Sequence, residues 1–342
     1  MSTRVAVLGA TSWGTTLAVL LSTRGIQVAL GARDAAEADH LNTARENRRL
    51  LPGIVFPDAL SVVPALDAVQ DAEVVLVVVP SQRLRENLRS VVPAIGRRSV
   101  IVSASKGIEN GTCLRMSEVI AEEAPGHPVA VLSGPNLSRE IAQGLPASTV
   151  IASIDDDVAR EVRDLFMTPR FRAYAHNDVA GVELGGSLKN VVALGAGIID
   201  GLQLGDNAKA GFMTRGLAEI TRLGIAAGAN PLTFAGLAGI GDLIATCASP
   251  HSRNRFVGQE LARGRSIDEI RQSMEHVSEG VPTTASTVEL ARRLGVEMPI
   301  TQQIYRVIFE GLNPERAVEE LMSRAATEEW AGMSAQGFRQ SP

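Results

Sequence analysis

The chain has 342 residues, 45% of them hydrophobic and 21% charged, with a formal net charge of −5. That length accommodates two domains with sizeable cores, and the acidic balance excludes an extended nucleic-acid or anionic-membrane surface. Two separated cysteines, Cys113 and Cys247, and five scattered histidines show no ligand spacing, so neither a metal site nor a disulfide framework is expected.

The chain opens on Arg4 to Gly9, a short apolar strand that stops at a glycine. A helix is expected over 13–24, ended by Gly25, and a second strand over 27–32. This strand–turn–helix–strand unit carries Gly9-Ala-Thr11-Ser12-Trp13-Gly14 at its turn, the context in which a dinucleotide fingerprint has meaning. Gly9 turns the chain, Gly14 lets the helix approach the strand, and the helix N-terminus offers free N–H groups to a pyrophosphate. Thr11 departs from the pattern, because its side chain stands where a glycine usually lets the pyrophosphate approach. At the end of the second strand, an acid would bind the ribose hydroxyls of NAD and an arginine the 2′-phosphate of NADP. Arg33 precedes Asp34 here, which favours NADP and keeps NAD open.

Further strands are expected over 73–80, 99–103, 128–132, 148–152 and 171–174, with helices between them, including 83–92 and 114–123. Near-continuous apolar strands alternating with helices predict a doubly wound, mostly parallel Rossmann-type α/β sheet covered on both faces. Ligands bind beyond the carboxyl ends of such strands, where the loops Val79–Ser81, Ser105–Glu109 and Ser133–Asn136 fall. Ser133-Gly134-Pro135-Asn136 suits either a ligand or a helix cap.

After residue 178 the strand signal stops. Helical segments over 180–200, 209–228, 254–263, 266–274, 282–294, 299–310 and 314–326 predict an all-α second domain. The expected division is 1–178 and 179–342, with a tail frayed from about Ala326. No uncharged apolar run reaches the ~18 residues of a membrane span, and the N-terminus has no signal-peptide pattern. A cytoplasmic protein without stable membrane insertion is therefore expected.

The basic residues hold the sharpest clue. Of 33, only Lys106, Lys189 and Lys209 are lysines; the rest are arginines. Lysine gives up a proton when buried and arginine does not, so lysines retained in an arginine-dominated chain are candidates for proton chemistry or anion contact. Lys189 and Lys106 are the stronger candidates. Lys189 and Asp200 are eleven residues apart and fall on nearly one helical face, and Asp242 and Thr246 are one turn apart. Ser252-Arg253-Asn254 offers a hydroxyl, a guanidinium and an amide suited to phosphate oxygens. Taken singly, Asp242 suits a cap or ion pair equally well, and Arg253 a surface charge.

Together these segments resemble the bacterial NAD(P)-dependent glycerol-3-phosphate dehydrogenases along nearly the whole chain. The resemblance rests on Gly9–Ala18, Asn47–Gly53, Ser105–Glu109, Ser133–Asn136, Glu183–Asn190, Gly205–Ala210 and Thr214–Gly216. It continues through Gly236–Leu243, Thr246-Cys247, Ser252–Asn254 and Glu279-Gly280. It implies reversible hydride transfer between NADPH or NADH and dihydroxyacetone phosphate, giving glycerol 3-phosphate for phospholipid synthesis. By the same match Lys189 is the general acid/base, Lys106 touches substrate and cofactor, and Asp242 orients Lys189. Substrate binding is implied for Lys106, Gly134, Asn136, Lys189, Asp242, Ser252, Arg253 and Asn254. Cofactor binding is implied for Gly9, Ser12, Trp13, Gly14, Arg33, Lys106, Ser138, Arg253, Val277 and Glu279. Thr11, Leu50, Asn136 and Ser138 depart from the family's usual residues. A reductase of another phosphorylated or carboxylated ketone, a non-catalytic NAD(P)-binding sensor and a homodimeric state all stay open.

Overall fold

The computed structural model describes residues 3–274, 277–326 and 328–329. Met1–Ser105 with Met116–Val179 form one compact unit, and Lys106–Arg115 with Ala180–Pro342 form a second.

In chain order the first unit holds β1 (Arg4–Leu8), α1 (Ser12–Ser22), β2 (Gln27–Ala32), α2 (Ala35–Ala44), β3 (Leu60–Pro64), α3 (Ala65–Ala68) and β4 (Val74–Val77). It continues with α4 (Leu84–Val91), β5 (Val100–Ser103), α5 (Met116–Glu123), β6 (Val129–Ser133), α6 (Ser138–Ala142), β7 (Ala147–Ala152), α7 (Asp156–Phe166) and β8 (Phe171–His176). The eight strands run in the order β3-β2-β1-β4-β5-β6-β7-β8. All pairings are parallel except β6 with β7. Strand order reverses between β1 and β4, where Val5 pairs with Val28 on one side and Val74 on the other. The carboxyl ends of those two strands form the crevice in which such sheets bind ligands. Helices on both faces explain why Val5, Val7, Leu30, Leu76 and Val102 are all fully or almost fully buried.

The sequence expectation omitted β3 and gave no bounds to α2, α3, α6 and α7. β3 is a five-residue edge strand ending at Pro64, where the missing N–H cannot continue a ladder. α7 is marked by its buried stripe of Val158, Ala159, Val162 and Phe166 and by Asp155, whose carboxylate caps the amides of Asp157 and Val158. The first helix starts at Ser12 and ends at Ser22, earlier at both ends than expected.

The second unit is helical: α8 (Val179–Gly201), α9 (Asp206–Ala226), α10 (Asp242–Ala248), α11 (Arg253–Ala262), α12 (Ile267–Gln272), α13 (Gly280–Leu294), α14 (Pro299–Phe309) and α15 (Pro314–Met322). A π-type turn, Leu237–Gly241, precedes α10 and was not expected from the sequence. The tail expected to fray from Ala326 lies, from residue 330 onward, outside the described residues.

α8 is the axis of this unit. Every residue from Gly181 to Ile199 is buried, because the helix is apolar all round. Leu184, Leu188 and Val192 pack with Ile220, Phe234 and Leu243, while Val191, Leu194 and Ile198 pack with Val257, Leu261 and Ile304. Among the described residues α8 is the helix long and apolar enough to cross a membrane, and its apolar window is wholly buried, as in a core helix. Its glycines allow backbone contact with neighbours. A Cβ at Gly185 would lie 2.5 Å from the Ala238 carbonyl oxygen, and one at Gly197 would lie 2.0 Å from that of Arg255. The first contact brings the turn before α10 against α8, and the second brings α11 there.

Candidate active site

In the second unit, the approach of α10 to α8 sets Asp242 beside Lys189. Lys189 Nζ lies 2.9 Å from Asp242 Oδ1 and donates to Thr246 Oγ1 at 2.5 Å. Thr246 Oγ1 in turn donates to Asp242 Oδ1 at 3.3 Å. The other carboxylate oxygen, Oδ2, accepts from Lys106 Nζ at 2.6 Å. One carboxylate therefore holds two ammonium groups, and it is 1% exposed.

Burial carries a specific penalty here, because an isolated charge leaving water is costly unless paired and hydrogen-bonded. Two cations against one anion leave a residual positive charge in a low-dielectric setting. Burial pushes the Lys106 ammonium down to about 8, with the charge of Lys189 adding to that depression and Asp242 opposing it. Cys247 follows Thr246 but is inert, since burial drives its thiol up to about 12.

Lys106 belongs to a ten-residue excursion whose flanks both lie in the first unit. The sequence had set it in a loop at a strand end; the loop leaves the sheet after β5 and packs with the helices. Lys189 and Asp200 both lie on α8, as the spacing implied, but the shared face does not make them partners. Asp200 instead binds Lys209 Nζ at 2.9 Å and Arg255 Nε at 2.5 Å, so it serves a structural ion cluster around the third lysine.

The Ser252-Arg253-Asn254 run is split in its roles. Ser252 caps α11, its Oγ accepting from the Arg255 amide at 3.3 Å. Asn254 donates to Asn190 Oδ1 at 2.8 Å, and its own Oδ1 accepts from Ser278 Oγ at 2.6 Å and Gly280 N at 2.9 Å. It thereby ties α11 to α8 and α13. Arg253 is the first residue of α11 and is exposed. Glu279 occupies the position before α13 without capping it, and Val277 is 49% exposed.

In the first unit, Gly9 takes φ +105°, and a Cβ there would meet the Val78 carbonyl oxygen at 2.7 Å. A Cβ on Gly14 would stand 2.0 Å from the Gly9 carbonyl oxygen, so the third position of the fingerprint is closed to any side chain. Thr11, the departure from the pattern, is the N-cap of α1. Its hydroxyl accepts from Gly14 N and donates to the Val78 carbonyl, both at 3.0 Å, joining the helix start to the end of β4. The amides that follow it in the first turn are the ones a helix leaves unsatisfied. Trp13 Nε1 is buried without a hydrogen-bond partner. A tight glycine turn, open amides and an unpartnered donor fit a pyrophosphate-bearing dinucleotide.

Asp34 caps α2, its Oδ1 accepting from the Glu37 amide at 2.8 Å. Arg33 is exposed but engaged: Glu37 accepts from its guanidinium at 3.1 Å and from its amide at 2.9 Å. Gly134 has φ +157°, and a Cβ there would meet Thr149 Cα at 3.0 Å. Asn136 bonds to the Ser148 carbonyl and Thr149 hydroxyl, fastening the loop after β6 to β7. Ser138 opens α6, and its carbonyl accepts from the Thr16 hydroxyl at 3.1 Å.

Thr246 was noticed in the sequence for its spacing and within the Thr246-Cys247 segment, without a role. Its partnership with Lys189 needed the fold, although the i, i+4 offset from Asp242 in a helix was the available signal.

Two family models cover most of the chain: the N-terminal part of NAD-dependent glycerol-3-phosphate dehydrogenase matches residues 4–159, and the C-terminal part matches 178–319. A glycerol-3-phosphate dehydrogenase [NAD(P)+] of Dehalococcoides mccartyi is 49% identical over 96% of this chain and 93% of its own length. Its counterpart in Streptomyces coelicolor is 47% identical over 95% and 98%. The crystal structure of glycerol-3-phosphate dehydrogenase from Coxiella burnetii superposes with a TM-score of 0.90 at 37% identity, covering 94% of this chain and 99% of that one. A ketopantoate reductase from Ralstonia eutropha, at 16% identity and a TM-score of 0.60, shares the fold alone. The glycine turn, the lysine-carboxylate cluster and these relatives agree: the chain belongs to the NAD-dependent glycerol-3-phosphate dehydrogenase family.

Proposed function

We propose that the chain interconverts dihydroxyacetone phosphate and glycerol 3-phosphate with NAD(P), and that Lys189 exchanges the proton at the C2 oxygen. The observation that carries this reading is the pair of buried ammonium groups on one carboxylate. An ammonium has three protons. Lys189 commits two of them, to Asp242 and Thr246, which leaves a third for a substrate oxygen. When bound, the reduced nicotinamide supplies the hydride that adds to C2.

As negative charge develops on the C2 oxygen, Lys189 donates its third proton and Lys106 adds electrostatic stabilisation. Asp242 and Thr246 fix the direction of the Lys189 ammonium, so it need not reorganise. In the oxidative direction, neutral Lys189 takes the hydroxyl proton. The cluster's residual positive charge also favours an anionic substrate. Arg253 is proposed to hold the phosphate, with Ser252 and Asn254 fixing the start of its helix, and Gly134 and Asn136 are proposed as further substrate residues. Gly9, Ser12, Trp13, Gly14, Arg33 and Ser138 are proposed to hold the dinucleotide, joined by Lys106, Arg253, Val277 and Glu279. Because Glu37 already occupies Arg33, we propose that NADP is favoured only weakly over NAD.

The test is the initial rate of reduced-nicotinamide oxidation with dihydroxyacetone phosphate, measured with NADPH and NADH separately. Turnover with both, and a modest preference for NADPH, is expected. Absence of turnover with either cofactor, in protein shown to bind it, would overturn the reading.

A further inference from the structure

Lys106 sits at the start of a segment that the chain would otherwise carry with the sheet, so something must hold it on the helices. The segment builds its own hairpin: Ile108 and Arg115 form an antiparallel bridge, and the Glu109 amide donates to the Leu114 carbonyl at 2.9 Å. Cys113 turns the chain with φ +63°, and Ile108 is fully buried in the core around α8. Four side chains then fasten the hairpin, and at its turn Arg293 on α13 donates to the Gly111 and Thr112 carbonyls, both at 2.8 Å. Ser187 on α8 donates to the Gly107 carbonyl at 3.3 Å, and Ser286 on α13 donates to the Ile108 carbonyl at 3.1 Å. Arg115, at the far end, donates to Glu183 Oε2 at 2.8 Å, and Glu183 is 8% exposed.

Glu183 and Ser187 are one turn apart on the same face of α8, and Lys189 follows two residues later. The helix that carries one lysine thus grips both ends of the hairpin that carries the other. We propose that Glu183, through Arg115 and with Ser187, is a positioning residue of the reaction: it sets Lys106 at the distance from Lys189 at which Asp242 can hold both. Ionic attachment suits this task better than apolar packing alone. A carboxylate–guanidinium contact specifies direction as well as proximity, whereas apolar burial tolerates sliding. A loop held loosely would let the Lys106 ammonium drift, and misplacement by an ångström is enough to cost about 100-fold in rate.

The inference rests on the role proposed for Lys106, and the test separates the two. Rates and KM for dihydroxyacetone phosphate are measured for K106A, E183Q and the double variant, with NADPH affinity measured by direct titration and melting temperature recorded for each. For E183Q the expected result is a roughly 100-fold loss in kcat/KM, with NADPH affinity falling no further than it does in K106A. The double variant should be no slower than K106A, since Glu183 acts through a group already removed. R115A should show a loss close to that of E183Q, since it removes the other partner of the same contact, and S187A should show a smaller loss in the same direction. These two variants decide the question if E183Q does not fold. Losses that multiply in the double variant, or wild-type kinetics in E183Q or in both R115A and S187A, would overturn the positioning role. Wild-type kinetics in K106A would instead overturn the role given to Lys106.

Discussion

The two units treat charge in opposite ways. Among the described residues, the buried polar side chains of the first unit, such as Thr15, Asn47, Ser81 and Thr149, are all neutral, and the buried charged side chains, Glu183, Lys189, Glu219, Asp242 and Glu260, all belong to the second. A sheet unit that offers backbone amides and helix dipoles to a dinucleotide has no need of buried ions. Proton transfer needs titratable groups away from water, and those are stable only when each finds partners. Glu219 shows the same strain away from the lysines. Burial raises its carboxyl to about 7, although the amides of Ile300 and Thr301 and the Thr301 hydroxyl donate to it.

The contrast can be broken most forcefully at Lys189. Lys189→Ala should lower kcat by roughly 10²- to 10⁴-fold, the range contributed by a positioned general acid. NADPH affinity should stay the same, because Lys189 is not among the residues proposed to hold the dinucleotide. A parallel loss of NADPH affinity in a titration would erase the division of labour.

Next in size is the effect of pH on Lys106. Its ammonium is depressed from 10.5 to about 8, so the charge is present below that value and lost as pH rises through it. KM for dihydroxyacetone phosphate should therefore climb above about pH 8, up to tenfold per unit where a single proton controls binding. A KM independent of pH from 7 to 10 would mean that this charge does not contribute to substrate binding.

In the first unit, where charges are exposed, effects should be smaller. Glu37→Gln frees Arg33 from its carboxylate and should raise the NADPH-over-NADH ratio of kcat/KM by several-fold, on the order of 1 kcal/mol for an exposed pair. An unchanged ratio would remove Arg33 from cofactor selection. Smallest in rate, Thr11→Ala removes the cap of α1 and should cost about 1 kcal/mol of stability by urea denaturation. An unchanged urea midpoint would show that the hydroxyl's two bonds are replaced by water.

Legibility in the sequence also differed between the units. β1, the glycine turn and β2 were readable because a parallel strand, a turn and a helix start each leave a local mark: an apolar run, Gly9 and Gly14. The edge strand β3 left none, being short and half-exposed. Lys189 stood out by composition, as one of three lysines among 33 basic residues. Its partner did not stand out by composition or spacing; Asp242 was implied only by the family resemblance, and the fold sets it beside Lys189 from 53 residues away while giving Asp200 to Lys209 and Arg255.

The sequence by itself determined the alternation of strand and helix, the dinucleotide turn, the helical second half and the family, because each is written in neighbouring residues or in motif order. Tertiary structure alone decided which charges meet. Glycines at 185 and 197 let backbones touch across α8, and the hairpin at 106–115 left the sheet for the helices. Partner choice among buried ions is settled by which backbones can come within hydrogen-bonding reach, a long-range property that no local pattern encodes.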